Sequence, residues 1–275
     1  MGKSENQIKR WRNPYKKAIA NFISVVGDKS LAKITREDML TFRQFWFKRM
    51  KNDGLTANNA NKDLIHLCSI FKNVNEMKGL NIDLPIHGLS FKEGEAKQRP
   101  SFSQDWIQDK LRAKGALDGL NTEARCILLG MINTGYRPSE AQGLLSSHIR
   151  LDTNIAHISI EPDGRQLKSV RSRRIIPLTG ISLEAFKQRP KGFPKYRNSS
   201  SLSATVNKFL RENGLLETSD HTLYGLRHSF EDRMLAAGID ERIRRDLFGH
   251  RLNRERYGAG ATLEHLHKII QSIAL

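Results

Sequence analysis

Between Arg137 and Tyr257 the chain carries two arginines, a lysine, a histidine and a tyrosine whose side chains suit phosphoryl transfer without a metal. Arg137 stands in Thr134-Gly135-Tyr136-Arg137-Pro138-Ser139-Glu140. Lys168 lies in a strongly basic stretch, Arg227 in Leu223-Tyr224-Gly225-Leu226-Arg227-His228, His250 after Phe248-Gly249, and Tyr257 in Arg254-Glu255-Arg256-Tyr257-Gly258. Guanidinium groups clamp phosphate oxygens in bidentate fashion, an ammonium or imidazole can move a proton, and a phenol can attack phosphorus.

Each setting also has an ordinary reading. Arg137 follows an apolar helical segment across a bend, and Pro138 suits the first turn of a new helix. A side chain there is presented to solvent, and Glu140 is placed to reach back and orient the guanidinium; a plain helix-start ion pair has the same spacing. Arg165, Lys168, Arg171, Arg173 and Arg174 crowd ten residues without an acid, between two strand patterns. Such a turn can enter a groove beside a scissile bond, with Lys168 as proton donor, or can be a solvated basic loop. Arg227 shares an amphipathic helix with Leu226, Phe230 and Leu235, so it is partly desolvated and costly unless it meets an anion. His250, after a glycine at a helix end, is a ligand or a cap. Tyr257, beside Gly258 and Gly260, belongs to a loop or helix margin.

The elements that must position these residues are mostly helical. Apolar spacing predicts helices over 14–26, 35–50 and 56–77, with Thr35 capping the second, so the first hundred residues form a small bundle. Residues 80–102, with Pro85, Gly88, Gly94 and Pro100, read as a linker, and the domain boundary falls at 97. Helices follow at 103–111 and 121–133, strands at 156–160 and 173–177 around a turn with Gly164, and helices at 199–213, 222–237, 240–247 and 262–273. The fold class is mainly α with a small antiparallel β-sheet: a helical domain over 1–97 and a mixed domain over 98–275.

Composition limits what such a protein binds. The 275 residues hold 46 Lys and Arg against 29 Asp and Glu, a net charge of +17, and 18 of the bases against 10 of the acids fall in 1–97, so both halves are basic. A folded cation of this kind most often binds a polyanion, nucleic acid first. Cys68 and Cys126, the only cysteines, lie in apolar helical patterns and read as small core residues, which fits a reducing cytoplasm. No run approaches membrane-spanning length, and no glycine loop for a nucleotide appears.

Taken together, Thr134 to Ala141, the Lys168 to Leu178 hairpin, Leu226-Arg227-His228-Ser229-Phe230, Phe248-Gly249-His250 and Tyr257 resemble the tyrosine recombinase (phage integrase) family, in order and separation. The resemblance implies a catalytic domain from Arg99 on, and segment 1–97 looks like the family's helical, SAM-like core-binding domain. It implies a catalytic set of Arg137, Lys168, Tyr224, Arg227, His250 and Tyr257, and neither metal nor cofactor. Tyr257 would form a 3′-phosphotyrosyl link to DNA; Arg137, Arg227 and His250 would stabilise the phosphorane, and Lys168 would protonate the leaving 5′-oxygen.

The implied partner is double-stranded DNA, held in a clamp of two domains by a homotetramer, with DNA-bending accessory proteins, in a cytoplasmic, nucleoid-associated setting. Where a member has an arm-binding domain, it would precede the first helix. The apolar helix 262–273 would pack on a neighbouring protomer or on its own domain. Two positions depart from the family pattern. Tyr224 stands where a histidine is usual, with His221 one turn earlier as a substitute, and Tyr257 follows His250 more closely than is common. A cleavage-deficient DNA-binding regulator and a type IB topoisomerase-like enzyme remain alternatives.

Overall fold

The computed structural model describes residues 2–95, 98–255 and 257–275. It divides into two compact units, Glu5–Lys97 and Gln98–Leu275, the latter grouped with Met1–Ser4. The boundary expected at 97 falls on residues outside those described.

The first unit is a three-helix bundle of α1 (Glu5–Val26), α2 (Arg36–Asp53) and α3 (Ala57–Met77). Helix α1 begins well before the expected Pro14, which sits inside it and removes one main-chain donor without ending the helix. Thr35 caps α2 as expected: its side chain accepts from the Asp38 N–H while the Asp38 carboxylate accepts from the Thr35 N–H. Gly54 ends α2 in the left-handed region at φ 67°. The core is Ala18, Phe22, Met39, Phe42, Trp46, Leu64, Leu67 and Phe71, whereas the apolar Leu40, Phe47 and Val74 of α2 and α3 are exposed. Phe22 meets Phe42 and Phe71 edge-on at 5.3 and 5.4 Å, contacts that contribute roughly 0.5–1.5 kcal/mol each beyond their burial.

The stretch expected as a linker is largely part of this bundle. Leu89 and Phe91 are buried in its core. Asn61 bonds the Phe91 main chain in both directions, at 2.8 and 2.9 Å. Arg43 donates to the Leu89 carbonyl and lies over the Phe91 ring. Two apolar side chains in a segment without periodicity were enough to anchor it.

In the second unit, Gln104–Trp106 runs into a π-helical turn, Ile107–Leu111 (together α4), and α5 (Thr122–Ile132) follows. Next come α6 (Pro138–Gln142), a three-stranded antiparallel sheet, α7 (Gly180–Gln188), α8 (Pro194–Arg197), α9 (Leu202–Glu212), α10 (Gly225–Ala236), α11 (Glu241–Phe248) and α12 (Leu263–Ser272). The strands are β1 (Ile149–Arg150), β2 (His157–Ile160) and β3 (Arg174–Pro177), in that order, with Ile158 opposite Ile149 and Ile176. Helix α5 is buried nearly all round and forms the spine of the core, with α7 against it. Both α7 and β1 lie outside the sequence expectations. Strand β1 has only two residues, too short for an alternation to show.

Helix α12 packs on its own unit. Ile270 is fully buried, the helix lies against β3, and the Leu275 N–H and main-chain oxygen are both taken by the Asn133 side chain, at 3.0 and 2.8 Å. Of the two expected packings, the one on the same domain is the one observed. No helix among the described residues is long and apolar enough to cross a membrane.

Candidate active site

The site is built on the bend after α5. Gly135 adopts φ 57°, and a Cβ there would lie 2.6 Å from Phe230 and 2.9 Å from Phe248, so only glycine fits. Gly130 leaves room for Tyr136, whose buried hydroxyl donates to the Ile127 carbonyl at 2.8 Å. The bend delivers Arg137 to the N-cap of α6, with Pro138 at its first position. The expectation of a solvent-facing Arg137 is corrected: the residue is only 9% exposed. Its main-chain N–H donates to Glu140 Oε2 at 2.8 Å and its NH1 to Oε1 at 2.6 Å.

Glu140 serves two arginines. Arg174, at the start of β3, donates NH1 to Oε1 at 3.2 Å and NH2 to Oε2 at 2.8 Å, while its Nε donates to the Leu247 carbonyl at 2.6 Å. Burial alone would raise the Glu140 carboxyl, but Arg174 and then Arg137 hold it down at about 2. Arg165 of the basic stretch donates to the Ser139 carbonyl and packs where a Cβ on Gly143 would sit. In the sequence, Arg165 and Arg174 stand out only as members of a cationic run. The four-residue pattern Arg174-Ile175-Ile176-Pro177, entering a strand, was the available sign that Arg174 turns inward.

Arg227, 2% exposed, donates to the Gly135 carbonyl, to the Phe248 carbonyl at 2.9 Å and to His250 Nε2 at 3.1 Å; its guanidinium lies 4.1 Å from the Phe248 ring centroid. It meets main-chain oxygens, a ring face and an imidazole, but among the described residues no carboxylate accepts from it. Burial, and then the charge of Arg137, pull its pKa downward. His250 follows Gly249, the left-handed cap of α11, and its own N–H donates to the Arg245 carbonyl at 2.9 Å. Accepting at Nε2 requires the neutral ring with its proton on Nδ1. Burial first, then Arg227 and Arg137, hold the His250 pKa at about 4, which keeps the ring neutral around pH 7. Beside it lies a cleft of about 220 Å³ lined by Arg171, Arg173, Arg174, Arg245, Asp246 and Gly249.

Arg137, Arg227 and His250 are therefore brought together, with Arg174 and Glu140 behind them. Lys168 is not: it lies exposed on the connection between β2 and β3 and makes no hydrogen bond or ion pair with this cluster among the described residues. Tyr224 caps α10 one turn before Arg227, 5.5 Å from the His228 ring and 5.2 Å below the Arg99 guanidinium. Tyr257 is 75% exposed, and its hydroxyl donates to Glu255, a contact that raises the phenol pKa. Its carbonyl and that of Gly258 accept from Arg242 of α11; Arg256, which precedes it, lies outside the described residues. His221 is no substitute for a histidine at 224. Its Nδ1 accepts from the Thr218 N–H, its Nε2 donates to the Ser101 carbonyl, and the ring packs on Phe102.

A cluster of arginines around one carboxylate, with a neutral imidazole at its edge, has the charge and the donors that recognition of a phosphate group requires. The profile of the phage integrase family matches residues 109–255. The fold is similar to that of the Tn1549 transposon integrase in complex with transposon right end DNA (TM-score 0.62, 15% identity, covering 88% of this chain and 85% of that one). It is also similar to the XerH site-specific recombinase bound to palindromic difH substrate (0.61, 17%, 86% and 72%) and to a lambda integrase dimer bound to a COC′ core site (0.59, 16%, 90% and 90%). Comparison with curated protein sequences returns no match.

Proposed function

The chain belongs to the phage integrase family, and we propose that it is a site-specific DNA recombinase that breaks and rejoins DNA through a 3′-phosphotyrosyl intermediate on Tyr257, integrating or excising mobile DNA. The observation that supports this reading is the convergence of Arg137, Arg227 and His250, backed by the Glu140–Arg174 pair.

In this mechanism a phosphodiester enters the arginine cluster, and Arg137 and Arg227 donate to its non-bridging oxygens. The fixed guanidiniums favour the pentacoordinate state, which carries one more negative charge than the ground state. An incoming phosphate also restores the basicity of His250, since its depressed pKa arises from burial and neighbouring cations. Tyr257, its phenol proton given up to water, then attacks phosphorus; the bond to the 5′-oxygen breaks and that oxygen is protonated by Lys168, which regains its proton from water. The new phosphotyrosyl ester keeps the bond energy, so a second 5′-hydroxyl reseals the strand by the reverse displacement. Lys168 and Tyr257, exposed in the free protein, are drawn to the phosphate by DNA. Tyr224 donates from its hydroxyl to a phosphate oxygen, where a histidine is usual in the family. The working assembly is a tetramer on double-stranded DNA, with helical unit and catalytic unit both contacting the duplex and bending proteins assisting.

The exposure of Tyr257 favours one second reading, a DNA-binding regulator of this fold that does not cleave. A single experiment decides between them. Duplexes selected by the protein from a random library are nicked next to each candidate phosphate, so that cleavage releases a short strand and traps the covalent adduct. The recombinase reading requires a protein–DNA adduct in wild type that is absent in Tyr257→Phe. Tight binding without adduct at any nick position overturns it in favour of the regulator.

A further inference from the structure

Away from the arginine cluster, the helical unit holds a cleft of about 640 Å³ between α1, the end of α2 and the first half of α3. Its walls carry Arg10, Lys17, Arg49 and Lys62 against a single lining acid, Asp63, whose carboxylate already accepts from Asn21 at 2.9 Å. Arg49 is paired with Asp53, but Arg10, Lys17 and Lys62 are exposed and without an acidic partner among the described residues. Two polar atoms of the lining are buried and have no hydrogen-bond partner there: Trp46 Nε1 and His66 Nδ1. Trp46 is only 3% exposed, so its N–H has little access to bulk water. A buried donor left unmatched costs about 1–3 kcal/mol, and such groups in folded proteins are nearly always satisfied. The cleft therefore lacks an acceptor, and its surplus of cations specifies an anionic one.

The rim adds a second chemistry. His66 packs against Tyr15 at 4.6 Å between ring centroids, and Tyr15 against Trp11 at 5.2 Å, forming a line of three aromatic rings along α1 and α3. Trp11, at its end, is 53% exposed. Cations that neutralise phosphate, alternating with ring faces on which a base can stack, are the elements by which proteins hold unpaired nucleotides. A paired base in a duplex has both faces occupied by its neighbours and cannot use such a rim.

We propose that this cleft binds an unpaired stretch of a DNA strand: a phosphate accepts from Trp46 Nε1 beside Lys17 and Lys62, and the adjoining base lies against the Trp11–Tyr15–His66 edge. This is a site apart from the one that cleaves, and it stands whether or not Tyr257 is a nucleophile. During strand exchange, separated strands would give it a ligand that an intact duplex does not.

The test uses the full chain and equilibrium binding of a fluorescent single-stranded oligonucleotide, a duplex of the same sequence, and competition by a mononucleotide and by inorganic phosphate. Expected is single-strand binding that weakens about tenfold in Lys62→Gln and in Trp11→Ala, both at exposed positions, and in Trp46→Phe, which keeps the ring and removes the N–H. Duplex binding should change less than twofold, and Tyr257→Phe should leave single-strand binding intact. Equal losses for single strand and duplex, or no loss in Lys62→Gln and Trp11→Ala with thermal unfolding unchanged, would overturn the site. Displacement of the oligonucleotide by mononucleotide at comparable concentration would overturn the strand as occupant and assign the cleft to a free nucleotide.

Discussion

Arg174 holds Glu140 by both carboxylate oxygens, and it does so from a strand that begins 34 residues after the acid. The pair ties β3 to α6, and the same carboxylate fixes Arg137 through side chain and main chain. One acid thus sets the position of an arginine proposed to touch the substrate while its own charge is consumed by two cations.

Glu140→Gln should consequently impair catalysis more than binding. The variant leaves Arg137 and Arg174 buried without a counter-charge, which costs about 3–5 kcal/mol. Adduct formation on a nicked duplex should fall at least tenfold, while duplex affinity holds or rises because a negative charge has gone. Urea unfolding and adduct yield measured on one preparation check both parts; loss of DNA affinity in a folded variant would contradict the assignment.

Removing either guanidinium proposed to face the phosphate should slow the chemical step. Arg227→Ala is expected to lower single-turnover cleavage by about 10²–10³-fold, the usual scale for one lost donor to a developing charge. Because Arg227 is buried against Phe248, thermal unfolding must be recorded alongside, and Arg227→Lys serves as the variant that keeps the charge but not the fork.

The contact between Tyr257 and Glu255 gives a pH signature. The hydrogen bond to the carboxylate raises the phenol pKa, so Glu255→Gln should lower it. The rate of adduct formation should then reach its half-maximum at a lower pH and rise a few-fold near neutrality, roughly as expected for a larger phenolate fraction. An unchanged pH–rate profile would separate the Glu255 contact from catalysis.

Acid should unfold the catalytic unit in two stages. His250 has a folded pKa of about 4, below its ordinary value, so the unfolded chain takes up its proton first. Its contribution is complete above the unfolded value of ~6.5 and is lost as pH falls toward 4. Glu140, held at about 2, contributes above its ordinary carboxylate value, on the order of 3 kcal/mol, and loses this as pH falls through 2. Urea midpoints across pH 2–8 should show both declines, and His250→Gln should flatten only the first.

Helix α12 offers a stability test. Every hydrogen-bonding position of the buried Asn133 side chain is used: it donates to Thr179 and Leu275 main-chain oxygens and accepts from the Leu275 N–H and Arg233. Asn133→Ala should destabilise the unit by about 3 kcal/mol, and truncation at Glu264 should do the same or more, since Arg233 also donates to the Ile273 carbonyl. A truncated protein that melts like wild type while failing to assemble on DNA would restore the packing of α12 on a neighbour.

The contrast between what was and was not readable from residue order has a physical basis. Thr35, Ser103, Asn121 and Pro138 mark helix starts through chemistry confined to three or four residues, and these are where the structure agrees most closely. The grouping of Arg137, Arg227 and His250 was readable through the resemblance to a family, since nothing local relates positions 90 and 23 residues apart. What stayed hidden depends on tertiary burial. Arg137 was expected in solvent and is enclosed. Arg174 looked interchangeable with four other cations until β3 turned it toward Glu140. Segment 80–95 lacked periodicity, yet Leu89 and Phe91 found the bundle.

Arg227 has a ring, two carbonyls and a neutral imidazole for company, and the guanidiniums of Arg137 and Arg174 share one carboxylate nearby. The described residues of the catalytic unit thus leave a surplus of positive charge at the proposed phosphate position, which an anion from outside would balance. By linkage, whatever fills that position must also stabilise the fold. The protein should melt higher in sulfate than in chloride at equal ionic strength and higher again on DNA, making its own unfolding temperature an anion electrode.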